Sequence, residues 1–195
     1  MNIVNVGYAS TNYYVLGSGE NRLLVDVGWP GTIGHLLANL KRKGIAVAEI
    51  KFLLATHYHP DHAGLVQEVK KLGVRLVVVE GQRDAIPALK QWMKPEMKFQ
   101  EITLHDNTEL SLSDSRAFLG KLGISGEVVS TPGHSDDSVT LVLDTGDALT
   151  GDLQGEARAD EADIAKVRAS WAKLRGMNVR TIHPGHGPSI TLRTS

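Results

Sequence analysis

The feature that most constrains this chain is where its histidines fall. Six of the eight lie in three short segments: Thr56-His57-Tyr58-His59-Pro60-Asp61-His62, Thr131-Pro132-Gly133-His134-Ser135 and His183-Pro184-Gly185-His186-Gly187. Each segment directly follows a stretch that reads as a β-strand. Loops at strand ends are where a rigid scaffold presents its chemistry.

The first segment has only one way to bring its side chains together. On a single helix, residues 57, 59, 61 and 62 would point in four directions at about 100° per residue. Pro60 excludes that arrangement. It pushes His59 out of the helical region and suits the first turn of a following helix. His57 and His59 therefore sit on an extended strand end, on one side by the period of two. Asp61 and His62 sit on the first helical turn. Three imidazoles and a carboxylate packed so closely are unfavourable without a cation, and they form an ordinary donor set for zinc or non-haem iron.

The periodicities around these segments predict strands at residues 13–16 and 22–25, joined by Gly17-Ser18-Gly19. A helix follows over 32–43, with Gly44 at its C-terminal cap. Residues 51–55 read as a buried strand and 62–72 as a helix stopped by Gly73. The unbroken apolar run 76–79 reads as a strand buried on both faces. Helices are expected over 82–92, despite Pro87, and over 114–122, with Ser113 or Asp114 as cap. Strands at 127–130, 138–143 and 148–150, a helix over 160–174 and a strand at 179–182 complete the chain. Mixed strands and helices of this kind imply two packed sheets, or one large sheet with helices outside.

Composition closes off several classes. With 195 residues the chain has the length of about one domain, and no linker divides it. Basic and acidic residues balance at 21 and 22, which argues against a strong nucleic-acid binder. The absence of cysteine excludes a disulfide scaffold, a thiolate ligand and a thiol nucleophile. No apolar run is long enough to span a membrane, and residues 1–10 show no secretory signal. The expectation is a single cytoplasmic domain over residues 1–195, acting on a small molecule, with no nucleic-acid or membrane partner.

His57-Tyr58-His59-Pro60-Asp61-His62 resembles the HxHxDH signature of the metallo-β-lactamase-fold hydrolases. The likeness runs through nearly the whole chain: the N-terminal hairpin, Leu24-Val25-Asp26-Val27-Gly28, Pro132-Gly133-His134-Ser135, Thr150-Gly151-Asp152 and Pro184-Gly185-His186-Gly187. The resemblance implies an α/β (α+β) fold, a four-layer αββα sandwich with metals at one edge between the sheets. It implies two divalent metal ions, zinc foremost, with iron or manganese open. One would take His57, His59 and His134. The other would take Asp61, His62 and His186, with Asp152 and a hydroxide as bridges. Asp26 resembles the family's buried aspartate that orients the HxHxDH loop. The family's last ligand sits in the Gly-His-Gly step, which favours His186 over His183. His183 is then expected to be packed or hydrogen-bonded. His35 and His105 match no ligand position.

The implied activity is metal-assisted hydrolysis of a small thioester, lactone, other ester or phosphodiester by a metal-bridging hydroxide. Asp61 would orient the hydroxide and shuttle its proton. Tyr8, Tyr58 and the Trp29 loop are candidates to line the pocket. No G-x-S-x-G elbow accompanies Ser135, and no Walker A or H-E-x-x-H pattern occurs. The likeness is to the glyoxalase-II-like branch, but with nine residues after His186 that branch's C-terminal helical part is not expected here. Lactamases with a cysteine ligand are excluded. Other true lactamases lack the bridging aspartate, and the flavodiiron branch usually carries a carboxylate where His59 stands. Two other classes remain. One is a mononuclear iron persulfide dioxygenase using His57, His134 and Asp152 as a facial triad. The other is a non-catalytic, metal-stabilised binding module.

Overall fold

The computed structural model describes residues 2–192. Two sheets face each other. The first has six strands in chain order: β1 (Ile3–Asn5), β2 (Tyr14–Leu16), β3 (Arg22–Val25), β4 (Ile50–Leu54), β5 (Arg75–Val79) and β6 (Thr108–Leu110). Its β1, β2 and β3 are antiparallel, while β3 to β6 are parallel. The second sheet runs β11 (Ile190–Thr191), β10 (Thr181–Pro184), β9 (Asp147–Gly151), β8 (Val139–Leu143) and β7 (Gly126–Ser130). There β9 and β10 are parallel, and β8 is antiparallel to both β7 and β9.

Strand alternation builds the layers. Leu23, Val25, Val77 and Val79 point to the inter-sheet core, where they meet Val128, Val139, Leu141 and Leu149 of the second sheet. Leu24, Leu76 and Val78 point the other way, onto Leu36 and Leu40 of α1 (Ile33–Arg42) and Val66 and Val69 of α3 (Val66–Lys71). The outer face of the second sheet, with Val142, Ala148 and Ile182, packs on Leu174 of α6 (Ile164–Gly176). The result is helix, sheet, sheet, helix, as expected of the αββα sandwich. Both faces of β5 are buried, which explains its unbroken apolar run.

Several expected elements differ in the structure. The helix expected over 62–72 is two pieces, α2 (Pro60–Ala63) and α3, interrupted at Gly64-Leu65. The carbonyl of His62, which a continuous helix would give to residue 66, instead accepts Val27 N at 2.9 Å. The expected helix 82–92 shrinks to α4 (Ala85–Ala88) followed by a 3₁₀ turn at Leu89–Trp92, around the missing N–H of Pro87. Asp114 does stand before α5 (Ser115–Lys121), but its carboxylate accepts Ser111 Oγ instead of capping the helix. The last helix begins at Ile164, because residues 160–163 form a turn closed by Asp163 N to Asp160 O. The edge strands β1, β6 and β11 were not expected, since two or three residues carry no readable alternation.

Gly64 lets α2 dock on the loop after β3. A Cβ there would run into Pro60 O and the Pro30 ring, and would lie 2.7 Å from Gly28 O. Its φ is an ordinary −62°, so the requirement is space alone. Gly64→Ala should cost about 1–3 kcal/mol through overpacking. Denaturant unfolding of the metal-free protein reads this, and a wild-type midpoint would show that the contact yields.

Candidate metal centre

The expected extended strand end stops at Leu54, and the chain bends at Thr56-His57, yet the rings of His57 and His59 come together with centroids 4.6 Å apart. His59 keeps extended angles (φ −98°, ψ 159°), and Pro60 opens α2. Asp61 and His62 lie on that single turn. The loop after β7 brings His134 to within 4.8 Å of both His57 and His59, ring to ring. Asp152 follows β9. Its Oδ1 lies 3.2 Å from His62 Nε2, and its Oδ2 lies 3.3 Å from His186 Nε2 and 3.7 Å from His134 Nε2. His186 follows β10, with Nε2 3.1 Å from Asp61 Oδ2. All seven side chains meet in one volume. Three overlapping groups have donor atoms close enough to hold an ion: His57-His59-His134, His57-His62-Asp152 and Asp61-His62-His186.

The donor atoms test whether a cation fits. His57 Nε2, His62 Nε2 and Asp152 Oδ1 are buried with no hydrogen-bond partner. His62 Nε2 and Asp152 Oδ1 are near each other but not aligned for a bond. Orphaned buried polar atoms are rare and costly in a protein interior. Three of them facing one point are a donor set for a divalent cation.

A layer of hydrogen bonds behind these atoms sets their orientation. Asp26, 2 % exposed, accepts Thr56 N at 2.6 Å and Thr56 Oγ1 at 2.8 Å, and pairs with His62 Nδ1 at 3.0 Å. Thr56 Oγ1 in turn lies 3.2 Å from His57 Nδ1, and His186 Nδ1 lies 2.7 Å from Ser10 O. This network assigns the proton of each ring to Nδ1 and turns Nε2 of His57, His62 and His186 inward. Thr11 Oγ1 donates to Asp61 Oδ2 at 3.2 Å. Gly185 keeps the backbone close, since a Cβ there would strike Asp152 Oδ1 and His62 Cε1.

Electrostatics follows burial and charge. Burial, then the neighbouring imidazoles His62 and His134, holds the His57 pKa well below its usual value, so its lone pair is free. Burial also lowers His134. At His62 burial opposes the proton, but Asp26 and Asp152 prevail and push it up to about 10. Burial would raise Asp152, yet the close His62 ring and the charge it carries bring it below the ordinary carboxylate value.

The metallo-beta-lactamase superfamily profile matches residues 6–186. The chain belongs to the metallo-beta-lactamase superfamily. It is 33% identical over 190 residues to the beta-lactamase-like protein 2 homolog of Drosophila melanogaster, covering 92% of this chain and 59% of that protein. It is 29% identical over 187 residues to an atrochrysone carboxyl ACP thioesterase of Aspergillus fumigatus, covering 92% and 51%. It therefore spans half to three fifths of the length of these curated relatives. Among solved structures, the BLEG-1 B3 metallo-beta-lactamase superposes with a TM-score of 0.73 at 24% identity, over 97% of this chain and 94% of that one. That likeness concerns the fold.

The remaining histidines lie outside the cluster of this superfamily member. His183 pairs with Asp147 Oδ1 at 2.9 Å and with Ser189 Oγ at 2.9 Å. His35 stacks on Tyr8, and His105 is exposed. Tyr58 does not line the site. Its side chain turns away from His57 and His59 into the core beneath α1 and α3. Sequence reasoning missed Thr11, Thr56 and Ser10, single polar residues whose partners are distant in sequence or lie on the main chain. It also missed Trp92, whose ring stands 5.6 Å from that of His59 and is 54% exposed.

Asp26→Ala strands the buried Thr56 N–H and the His62 imidazolium. The metal-free variant should lose about 3–5 kcal/mol, as when one partner of a buried pair is removed. Its zinc affinity, read by competition with a chromophoric chelator, should fall about 10–100-fold. Wild-type values for both would show that Asp26 orients nothing.

Proposed function

We propose that this chain is a metal-dependent hydrolase cleaving a small thioester, with lactones, other esters and phosphodiesters as related substrates. The observation that carries this reading is the convergence of His57 Nε2, His62 Nε2 and Asp152 Oδ1, buried and without partners, beside Asp61, His59, His134 and His186. In this reading His57, His59 and His134 hold one divalent ion, Asp61, His62 and His186 hold a second, and Asp152 is shared. Zinc is the first choice, with iron or manganese as substitutes. Bound ions would lower the pKa of a water to about 7 and neutralise charge on the electrophile.

The chain's own groups do the rest. Asp61, steadied by Thr11 Oγ1, takes the proton of the attacking water on a carboxylate oxygen. His186 and His62 flank that carboxylate at 3.1 and 3.6 Å and keep it oriented. Trp92 gives the substrate's apolar part a flat wall beside His59. The thioesterase name of the Aspergillus relative supports a thioester over the other esters. The single-iron dioxygenase would need only His57, His134 and Asp152. The Asp61-His62-His186 group gives the hydrolase its advantage. No helix among the described residues is long and apolar enough to cross a membrane. The proposal includes a cytoplasmic setting, one domain over residues 1–195, and a small-molecule substrate without nucleic acid.

Metal analysis followed by a thioester, lactone and phosphodiester panel tests this. Chelation should abolish turnover, and zinc, iron or manganese should restore it. Asp61→Asn should lower kcat about 10²–10⁴-fold. One iron per chain with persulfide-dependent oxygen uptake would replace the hydrolase. A fully loaded protein inert across the panel would leave only the binding module.

Trp92→Ala should raise KM for aromatic or long acyl thioesters more than for the acetyl thioester, in steady-state assays. An equal change for all acyl groups would remove Trp92 from substrate contact.

A further inference from the structure

One fully buried side chain near the cluster belongs to none of its ligand groups. Gln82 lies just beyond β5 and is 0 % exposed. Its Oε1 accepts Val79 N at 3.3 Å. Its Nε2 donates to Ala55 O at 3.0 Å and Asp137 O at 3.1 Å, with Thr56 O at 3.3 Å sharing the same two hydrogens. Ala55 and Thr56 lead into His57. Asp137 lies three residues after His134, on the loop from the other sheet. That loop is closed on itself by Thr131 N to Ser138 O at 2.9 Å and by the Ser135–Ser138 hydroxyl pair at 2.7 Å. A pull on Asp137 is therefore a pull on His134. A second strap returns across the same gap, from Tyr58 N to Asp137 Oδ2 at 2.8 Å.

We infer that Gln82 is a positioning residue, which with Asp137 clasps the loop carrying His57 and His59 to the loop carrying His134. It thereby sets the gap among those three imidazoles. The inference rests on the metal-centre reading and deepens it. It concerns only one of the two ligand sets. Asp61 and His186 are held from elsewhere, by Thr11 and by the Ser10 carbonyl. An amide is required because three carbonyl oxygens face Nε2 while a main-chain N–H faces Oε1. A carboxylate of the same shape would meet those carbonyls with no donor.

Gln82→Glu keeps the shape and removes the donor. Asp137→Ala cuts the second strap at a partly buried position, and decides the matter if Gln82→Glu does not fold. Zinc affinity by chelator competition and the visible spectrum of the cobalt(II)-loaded protein are compared with wild type. Each folded variant should bind zinc at least tenfold more weakly at its affected site and show displaced cobalt bands. A merely structural Gln82 would lower the melting temperature of the metal-free protein while folded variants kept wild-type affinity and spectrum. That result overturns the inference. A wild-type protein that takes up no cation overturns the metal-centre reading along with it, so the two failures are distinct.

Discussion

The Asp26 carboxylate is the contact on which the site depends. Its backbone has turned left-handed, at φ 62°, while its N–H still bonds Leu54 O in the sheet. A non-glycine residue in that region is strained by about 1–3 kcal/mol. The strain persists because the turn swings the side chain across the end of β4. There it collects three donors: the Thr56 amide, the Thr56 hydroxyl and the His62 ring. One buried group thus fixes the start of the histidine segment and its last member, and through Thr56 it reaches His57. Two of the inward-facing nitrogens owe their tautomer to this one carboxylate.

The fold supplies the rest of the convergence by strand direction. β3, β4 and β5 run one way in the first sheet, and β7, β9 and β10 share a direction in the second. Asp26, His57, His134, Asp152 and His186 all lie just past, or a few residues past, the C-terminal ends of these strands. In open α/β sheets that end is where ligands collect. Two such sheets face to face make five independent loops meet at one edge. Helix α6 stiffens one of them from outside, since Ser170 Oγ bonds Pro132 O at 2.8 Å and Val167 packs on Gly133.

Much of this was legible because it repeats or clusters. Alternation and apolar runs marked β2 to β5 and β7 to β10, and the histidine segments stood out by type, spacing and position after strands, while Asp152 and the choice of His186 over His183 came from the resemblance to the family. What escaped was not periodic. The edge strands are too short to alternate. The break between α2 and α3 comes from a tertiary bond, Val27 N to His62 O, that outweighs local helix propensity. Gln82, Thr11 and Asp137 sit in ordinary polar stretches, and the partners that tie them to the site lie 26 to 79 positions away. Nothing in their neighbourhood announces them. Tyr58 shows the opposite error, because proximity in sequence to two candidate ligands suggested lining, while the bent chain around it turns the ring into the core.

The same geometry couples folding to the cation. Without an ion, the Nε2 atoms of His57 and His62 and a carboxylate oxygen of Asp152 stay desolvated and unpaired. Each such group is worth about 1–3 kcal/mol against the fold. The sandwich tolerates this because its two sheets and their helices bury three separate apolar layers. An ion that satisfies those atoms removes the penalty and adds binding free energy to the native state alone. Asp26 keeps its bond to the Nδ1–H of His62 in either state, so Nε2 stays turned toward the place an ion would take.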